Sequence, residues 1–175
     1  LTNAAVTGQA AGTSTITITG GAGGNGGNAG TATNGVVGVA GGAATLDFGG
    51  ATSSANITLD DGTDGSAGTD DSGGNTGGAL GAGGAATVAF TAAHTLTGSI
   101  KAAADGEGSI TVATGLLTVV GNIGEVSKDL KIITLNVAAG LTTNGDLFVK
   151  DIDMVTNGSQ LAFTGTTLQT VSAAI

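Results

Sequence analysis

Lys131-Ile132-Ile133-Thr134-Leu135-Asn136-Val137, followed past the break Asn144-Gly145-Asp146 by Leu147-Phe148-Val149 and Ile152-Asp153-Met154-Val155, is the stretch that decides how this chain folds. The segments are short, rich in β-branched residues and alternate apolar with polar side chains, the period-two pattern of a strand that buries one face. Asn, Asp and Gly, which turn a chain readily, punctuate them. A further turn, Asn157-Gly158-Ser159, leads into Gln160-Leu161-Ala162-Phe163, and Leu168-Gln169-Thr170-Val171 continues the pattern.

The same texture extends toward the N-terminus. Leu116-Leu117-Thr118-Val119-Val120, Ser109-Ile110-Thr111-Val112 and Thr87-Val88-Ala89-Phe90 read as strands, as do Asn56-Ile57-Thr58-Leu59, Ala44-Thr45-Leu46-Asp47-Phe48 and Thr15-Ile16-Thr17-Ile18-Thr19. Helical spacing is weak, with one turn expected at Glu125 to Leu130. The expected fold is all-β: a right-handed parallel β-solenoid of short strands or, as the alternative, a jelly-roll-like β-sandwich with Gly-rich loops. An internal repeat favours the solenoid. Gly41-Gly42-Ala43-Ala44-Thr45-Leu46-Asp47-Phe48 is echoed by Gly83-Gly84-Ala85-Ala86-Thr87-Val88-Ala89-Phe90, and Ile57 then aligns with Ile100. Leu161-Ala162-Phe163-Thr164-Gly165 is a looser third copy. By texture, residues 1–90 form a Gly/Ala/Thr/Asn-rich segment and 91–175 a denser strand segment of one continuous domain.

Composition narrows the function. The 175 residues include 35 Gly, four Phe, and no Pro, Cys, Trp or Tyr. Burying a Phe or Leu stabilises by about 1.5–3 kcal/mol, against about 1–2 kcal/mol to order each residue's backbone. A backbone ladder, repeat stacking, self-assembly or metal must therefore supplement a core so poor in large side chains. The net charge of −9, from four Lys, no Arg and thirteen acidic residues, disfavours nucleic acid and anionic membranes as partners. No apolar run is long enough for a membrane helix, so no membrane insertion is expected. A start at Leu1 without a basic leader reads as a processed product or a fragment.

The run Gly20 to Gly30 reads first as a flexible loop. The sharper alternative is a packed polyglycine-type backbone layer at an assembly contact, where missing side chains allow close approach.

From His94 onward the chain resembles the passenger regions of bacterial autotransporter surface antigens of the rickettsial outer-membrane-protein A/B type. The similarity rests on Leu96-Thr97-Gly98-Ser99-Ile100, Gly115-Leu116-Leu117-Thr118-Val119-Val120-Gly121-Asn122-Ile123-Gly124 and Leu130-Lys131-Ile132-Ile133-Thr134-Leu135-Asn136. Asn144-Gly145-Asp146-Leu147 and Leu161-Ala162-Phe163-Thr164-Gly165-Thr166-Thr167 extend it over the C-terminal half. The resemblance implies an exported β-solenoid that coats, adheres or contacts a host cell. No translocator barrel is present, since such barrels carry aromatic girdles.

The best candidate site is acidic: Asp60, Asp61, Asp64, Asp70 and Asp71 lie in a Gly/Ser/Thr-rich stretch whose oxygens suit Ca²⁺, though a solvated acidic loop explains them as well. Asp146, Asp151 and Asp153 form a second acidic group, with Asp151 and Asp153 on one strand face. His94, the single histidine, has no nucleophile-elbow pattern around it and reads as structural. No catalytic residue and no cofactor other than Ca²⁺ is expected. The expected function is that of a non-enzymatic structural or adhesive protein, extracellular or on a bacterial cell surface, forming a coat, fibre or filament and partnered by itself or by a cell-surface receptor. An S-layer, pilus-like or sheath subunit polymerising by β-strand addition, through Leu1–Val6 or Leu168–Ile175, is the alternative. A carbohydrate-active β-solenoid is the third reading.

Overall fold

The computed structural model describes residues 14–136, 138–155, 158–166 and 169–174, and among them there is no helix. Thirteen strands follow in order: β1 (Ser14–Thr19), β2 (Ala44–Phe48), β3 (Ala51–Asp60), β4 (Ala86–Phe90), β5 (His94–Thr97), β6 (Ile100–Ala102), β7 (Glu107–Val112), β8 (Gly115–Val120), β9 (Leu130–Leu135), β10 (Ala139–Thr143), β11 (Leu147–Met154), β12 (Gln160–Phe163) and β13 (Val171–Ala174). The alternating segments of the sequence account for them. The turn expected to be helical at Glu125 to Leu130 is instead a tight reversal, closed by mutual backbone hydrogen bonds between Glu125 and Lys128, with Ser127 in the left-handed region. Of the expected terminal strands, Leu1–Val6 lies outside the described residues, as do Leu168 and Ile175; Val171–Ala174 is β13.

The chain divides into two compact units: Thr19–Ala44 with Asp61–Ala86, and the rest. The boundary follows neither half of the sequence, because the Gly-rich unit is made by two separate excursions.

In the strand unit one sheet runs β1-β3-β5-β8-β10-β12, with β6 on the far end of β3, and the other runs β13-β11-β9-β7-β4-β2. The registers are parallel, and they stack like on like. Val88, Ile110, Ile133 and Ile152 form one column; Thr52, Thr95, Thr118 and Thr142 form another. Burial alternates along strands such as β4, where Ala86, Val88 and Phe90 are buried while Thr87 and Ala89 are half-exposed. Parallel sheets are usually covered on both faces. Here small Thr and Ser side chains finish the outer face, and apolar columns such as Leu117 with Leu141 fill the interior.

A corner holds the spacing. Gly98-Ser99-Ile100, Gly121-Asn122-Ile123 and Gly145-Asp146-Leu147 occupy equivalent places, with Ile100, Ile123 and Leu147 in one parallel ladder. A Cβ at Gly121 would press on the Gly98 carbonyl, and one at Gly145 on that of Gly121. The polar residue after each glycine receives a backbone N–H from the next level: Ser99 Oγ from Asn122 N (3.2 Å), Asn122 Oδ1 from Asp146 N (3.0 Å) and Asp146 Oδ1 from Thr170 N (2.8 Å). Those partners are 23, 24 and 24 residues apart. The first step, Asn56 Oδ1 to Ser99 N, spans 43 because residues 61–86 leave the strand unit between them. The repeat read in the sequence is therefore one level carrying an excursion: β2 and β4 are neighbours, and Ile57 pairs with Ile100. The third copy is not equivalent, since Leu161–Phe163 falls in the other sheet; strand alternation alone produced that likeness.

The Gly-rich unit has no conventional sheet. Four extended rods, residues 20–30, 34–44, 61–71 and 75–86, are joined by hydrogen bonds that recur every third residue. Gly21, Gly24 and Gly27 donate to Gly42, Val39 and Val36 at 2.7 Å, and Gly23, Gly26 and Ala29 donate to Thr63, Ser66 and Thr69 at 2.8–2.9 Å. Gly35, Gly38 and Gly41 donate to Thr76, Ala79 and Ala82, and Gly78, Gly81 and Gly84 to Gly27, Gly24 and Gly21. A three-residue turn without internal hydrogen bonds is polyproline-II geometry. Residues 20–30 are thus a polyglycine layer rather than an unpaired loop, and their partner rods belong to the same chain. Glycine is required at the contact positions: a Cβ on Gly23 would meet the Gly81 carbonyl, and one on Gly81 that of Val39.

Candidate functional sites

The acidic candidates sit on one rod of the Gly-rich unit. Asp61, Asp64 and Asp70 fall on the three-residue period, so their origins are about 9 Å or more apart along a polyproline-II rise. Each carboxylate accepts a backbone N–H from the neighbouring rod: Asp61 from Ala86 (2.7 Å), Asp64 from Gly83 (2.7 Å) and Asp70 from Gly77 (2.7 Å). Asn25, Asn28 and Asn34 act likewise on Ser66, Thr69 and Thr76. These side chains supply acceptors to backbone N–H groups of a neighbouring rod.

Asp71 closes the turn between the last two rods. Its Oδ1 accepts from Gly73 N (2.9 Å) and Asn75 N (2.8 Å), and its Oδ2 from Asn75 Nδ2 (3.0 Å). The Asn75 side-chain and backbone donors hold this carboxyl below its ordinary range, a hydrogen-bond effect at an exposed group. Asp60 ends β3. The five carboxylates are spread over a strand end, a rod and a turn, and among the described residues no three His, Cys, Asp or Glu side chains are grouped to hold a metal. Asp151 and Asp153 are exposed on β11, whereas Asp146 belongs to the corner ladder.

His94 opens β5 on the inner side, 4% exposed. Its ring tilts against Phe48 (4.9 Å between centroids) and Phe90 (5.3 Å), which stack on each other at 5.2 Å. Nε2 lies 2.9 Å from Ser53 Oγ and Nδ1 3.2 Å from the Gly50 carbonyl. The carbonyl takes the Nδ1 proton, leaving Nε2 to accept from the Ser53 hydroxyl. Burial pushes the imidazole pKa down. A serine next to a neutral imidazole has the first element of nucleophilic catalysis, but Ser53 is on the inner side of β3 and abuts the aromatic stack, so the pair satisfies a polar group in the core.

An open groove of about 240 Å³ runs between Gly115–Leu116, Ala138–Gly140 and Gln160, with no titratable side chain in its lining. Its floor exists because Gly140 carries no side chain against Leu116. On the exposed outside of the strand unit Lys150 bridges Asp105 (2.9 Å) and Asp129 (3.2 Å), which lowers the Asp105 pKa and raises that of Lys150. Asp61, Asp64, Asp70 and Asp146 were legible in the sequence as acidic candidates, but neither they nor the Asn and Ser side chains were legible as corner and rod acceptors. Their signal was the recurrence of a Gly-polar-aliphatic triplet at the level spacing, and of Asn or Asp every third residue beside glycine. No family model, curated protein or solved structure matches this chain.

Proposed function

We propose that this chain is a structural or adhesive segment of a secreted or cell-surface protein, with a right-handed parallel β-solenoid as its strand unit and no chemistry of its own. The observation that carries this reading is the corner ladder, in which equivalent residues from Ser99 to Thr170 follow one another 23 or 24 positions apart along the chain. A jelly roll is built from antiparallel pairs; the described registers between named strands are parallel. Parallel connections cross over right-handed in about 98% of cases, which supports the hand.

The role follows from what the molecule is made of. Hydrogen-bonded backbone holds both units, and the outward faces of the strands carry columns of small polar side chains such as Thr52, Thr95, Thr118 and Thr142, a surface suited to a coat. Three of the four phenylalanines (Phe48, Phe90, Phe148) are buried, leaving Phe163 as the one partly exposed ring on which a sugar could stack. That weighs against a carbohydrate-active enzyme. The similarity of the C-terminal half to autotransporter passengers agrees with display outside a bacterial cell, with the chain itself or a cell-surface receptor as partner.

Far-UV circular dichroism with proteinase K digestion of the purified chain tests the reading. A β-rich spectrum is expected, together with survival of the strand unit under conditions that degrade an ordinary globular domain within minutes. A helical spectrum would overturn the fold, and rapid complete digestion the coat.

A further inference from the structure

Five asparagines among the described residues grip a neighbouring stretch of backbone in one way. The side-chain oxygen accepts the N–H of a residue there, and the N–H that follows the asparagine donates to the carbonyl of that same residue. Asn25 with Gly26 holds Ser66 (both bonds 2.8 Å), Asn28 with Ala29 holds Thr69 (3.0 and 2.9 Å), and Asn34 with Gly35 holds Thr76 (3.0 and 2.9 Å). In the strand unit Asn56 with Ile57 holds Ser99, and Asn122 with Ile123 holds Asp146.

The grip has a chemical consequence where the next residue is glycine. A glycine nitrogen has no Cβ beside it to shield it, so an Asn-Gly pair is open to attack on itself. The nitrogen, on losing its proton, adds to the asparagine Cγ; ammonia leaves, a cyclic succinimide closes, and water reopens it at either carbonyl to give aspartate or isoaspartate. In Asn25-Gly26 and Asn34-Gly35 both reacting groups are engaged, the amide oxygen by an N–H of the neighbouring rod and the glycine N–H by a carbonyl there. Both hydrogen bonds must open before the ring can form.

Asn144-Gly145 has no such grip. Asn144 is exposed, its side chain has no hydrogen-bond partner among the described residues, and the Gly145 N–H rests only on the Thr143 hydroxyl of the same turn, at 3.2 Å. This turn is not at an end of the stack: Thr164 N donates to the Thr143 carbonyl, and a Cβ on Gly165 would meet that of Asn144. We propose that Asn144 is the site at which this chain modifies itself with age, by succinimide formation on Gly145, and that the grip preserves Asn25 and Asn34 as amides. The place is a sensitive one. Either product adds a carboxylate two residues before Asp146, the corner acceptor for Thr170 N, and isoaspartate also lengthens the main chain ahead of Gly145, where a Cβ would already press on the Gly121 carbonyl.

Incubation of the purified chain in mildly alkaline buffer, with peptide mapping by mass spectrometry and labelling by isoaspartyl methyltransferase, tests this. Asn157, also followed by glycine, lies outside the described residues and takes no part in the comparison. The native chain is expected to convert Asn144 about tenfold or more faster than Asn25 or Asn34, because two bonds hold each of those pairs, and to yield both aspartate and isoaspartate. In denaturant the three should convert at comparable rates, since each precedes a glycine and the grip is gone. Native conversion of Asn25 or Asn34 as fast as that of Asn144 overturns the proposal, as does an Asn144 that stays intact while the denatured chain converts. Aspartate without isoaspartate at position 144 would mean direct hydrolysis and overturns the route through Gly145.

Discussion

The two units of this molecule solve one problem by opposite means. Each is held by long rows of backbone hydrogen bonds, yet the strand unit fills the space between its rows with aliphatic columns, and the Gly-rich unit brings its rows so close that no side chain fits between them. Deleting atoms should therefore damage the first, and adding atoms the second. This contrast explains how a chain with four phenylalanines and 35 glycines is ordered in both parts: the cost of ordering glycine is met by neighbours on several sides of every rod.

The largest effect that would break the contrast lies in the strand unit. Phe90 is fully buried, stacks on Phe48 and borders His94. Phe90→Ala leaves a cavity beside the Phe48 and His94 rings, and should cost about 3–5 kcal/mol. Chemical denaturation followed by circular dichroism measures it, and a loss under 1 kcal/mol would mean that this core is not close-packed.

The Gly-rich unit supplies the inverse experiment. Gly81 is buried, and a methyl group there would land on the Val39 carbonyl, whereas at Gly42 the same methyl group meets nothing within 4 Å. Neither glycine has a positive φ, so space alone separates them. Gly81→Ala should destabilise the rods by about 1–3 kcal/mol, and Gly42→Ala should be neutral or stabilise by up to about 1 kcal/mol. Hydrogen exchange at Gly21, Gly24 and Gly27 reads this unit separately. Equal effects from the two substitutions would show that the rods are not in contact.

Much of the strand unit could be read from the chain, because alternation such as Ser109-Ile110-Thr111-Val112 reports burial directly. The level spacing was hidden. The strongest visible repeat joined Ala44–Phe48 to Ala86–Phe90 across an excursion, so its length combined two structures. The rods were harder still, since glycine carries no pattern of polarity and a period of three in Gly35, Gly38 and Gly41 is masked by the extra glycines around them. The five aspartates were legible as a cluster but not as acceptors, because a carboxylate that captures one amide of a neighbouring rod has the same sequence as one that waits in solvent.

Acid provides the finest separation of the units, for the buried imidazole of the strand unit titrates in a higher window than the depressed carboxylates Asp71 and Asp105. His94 is buried and neutral in the folded chain, with its pKa pushed below the ordinary 6.5 chiefly by desolvation. The unfolded chain binds the proton first, so the stability associated with this group is complete above pH 6.5 and falls away as the pH drops below it toward the lower folded value. Asp71 in the rod turn is also depressed, by its Asn75 hydrogen bonds, but from an ordinary value of 3.8. Its contribution persists until the pH falls below 3.8. Melting followed between pH 7.5 and 4.5 should accordingly show the strand unit weakening while the protection factors of the rod amides, corrected for intrinsic exchange at each pH, stay constant. His94→Gln, which keeps a side-chain donor and acceptor beside Ser53 and Gly50 but cannot titrate, should flatten that slope. A slope that survives this substitution would place the acid sensitivity in some other group and leave the aromatic stack around His94 indifferent to charge.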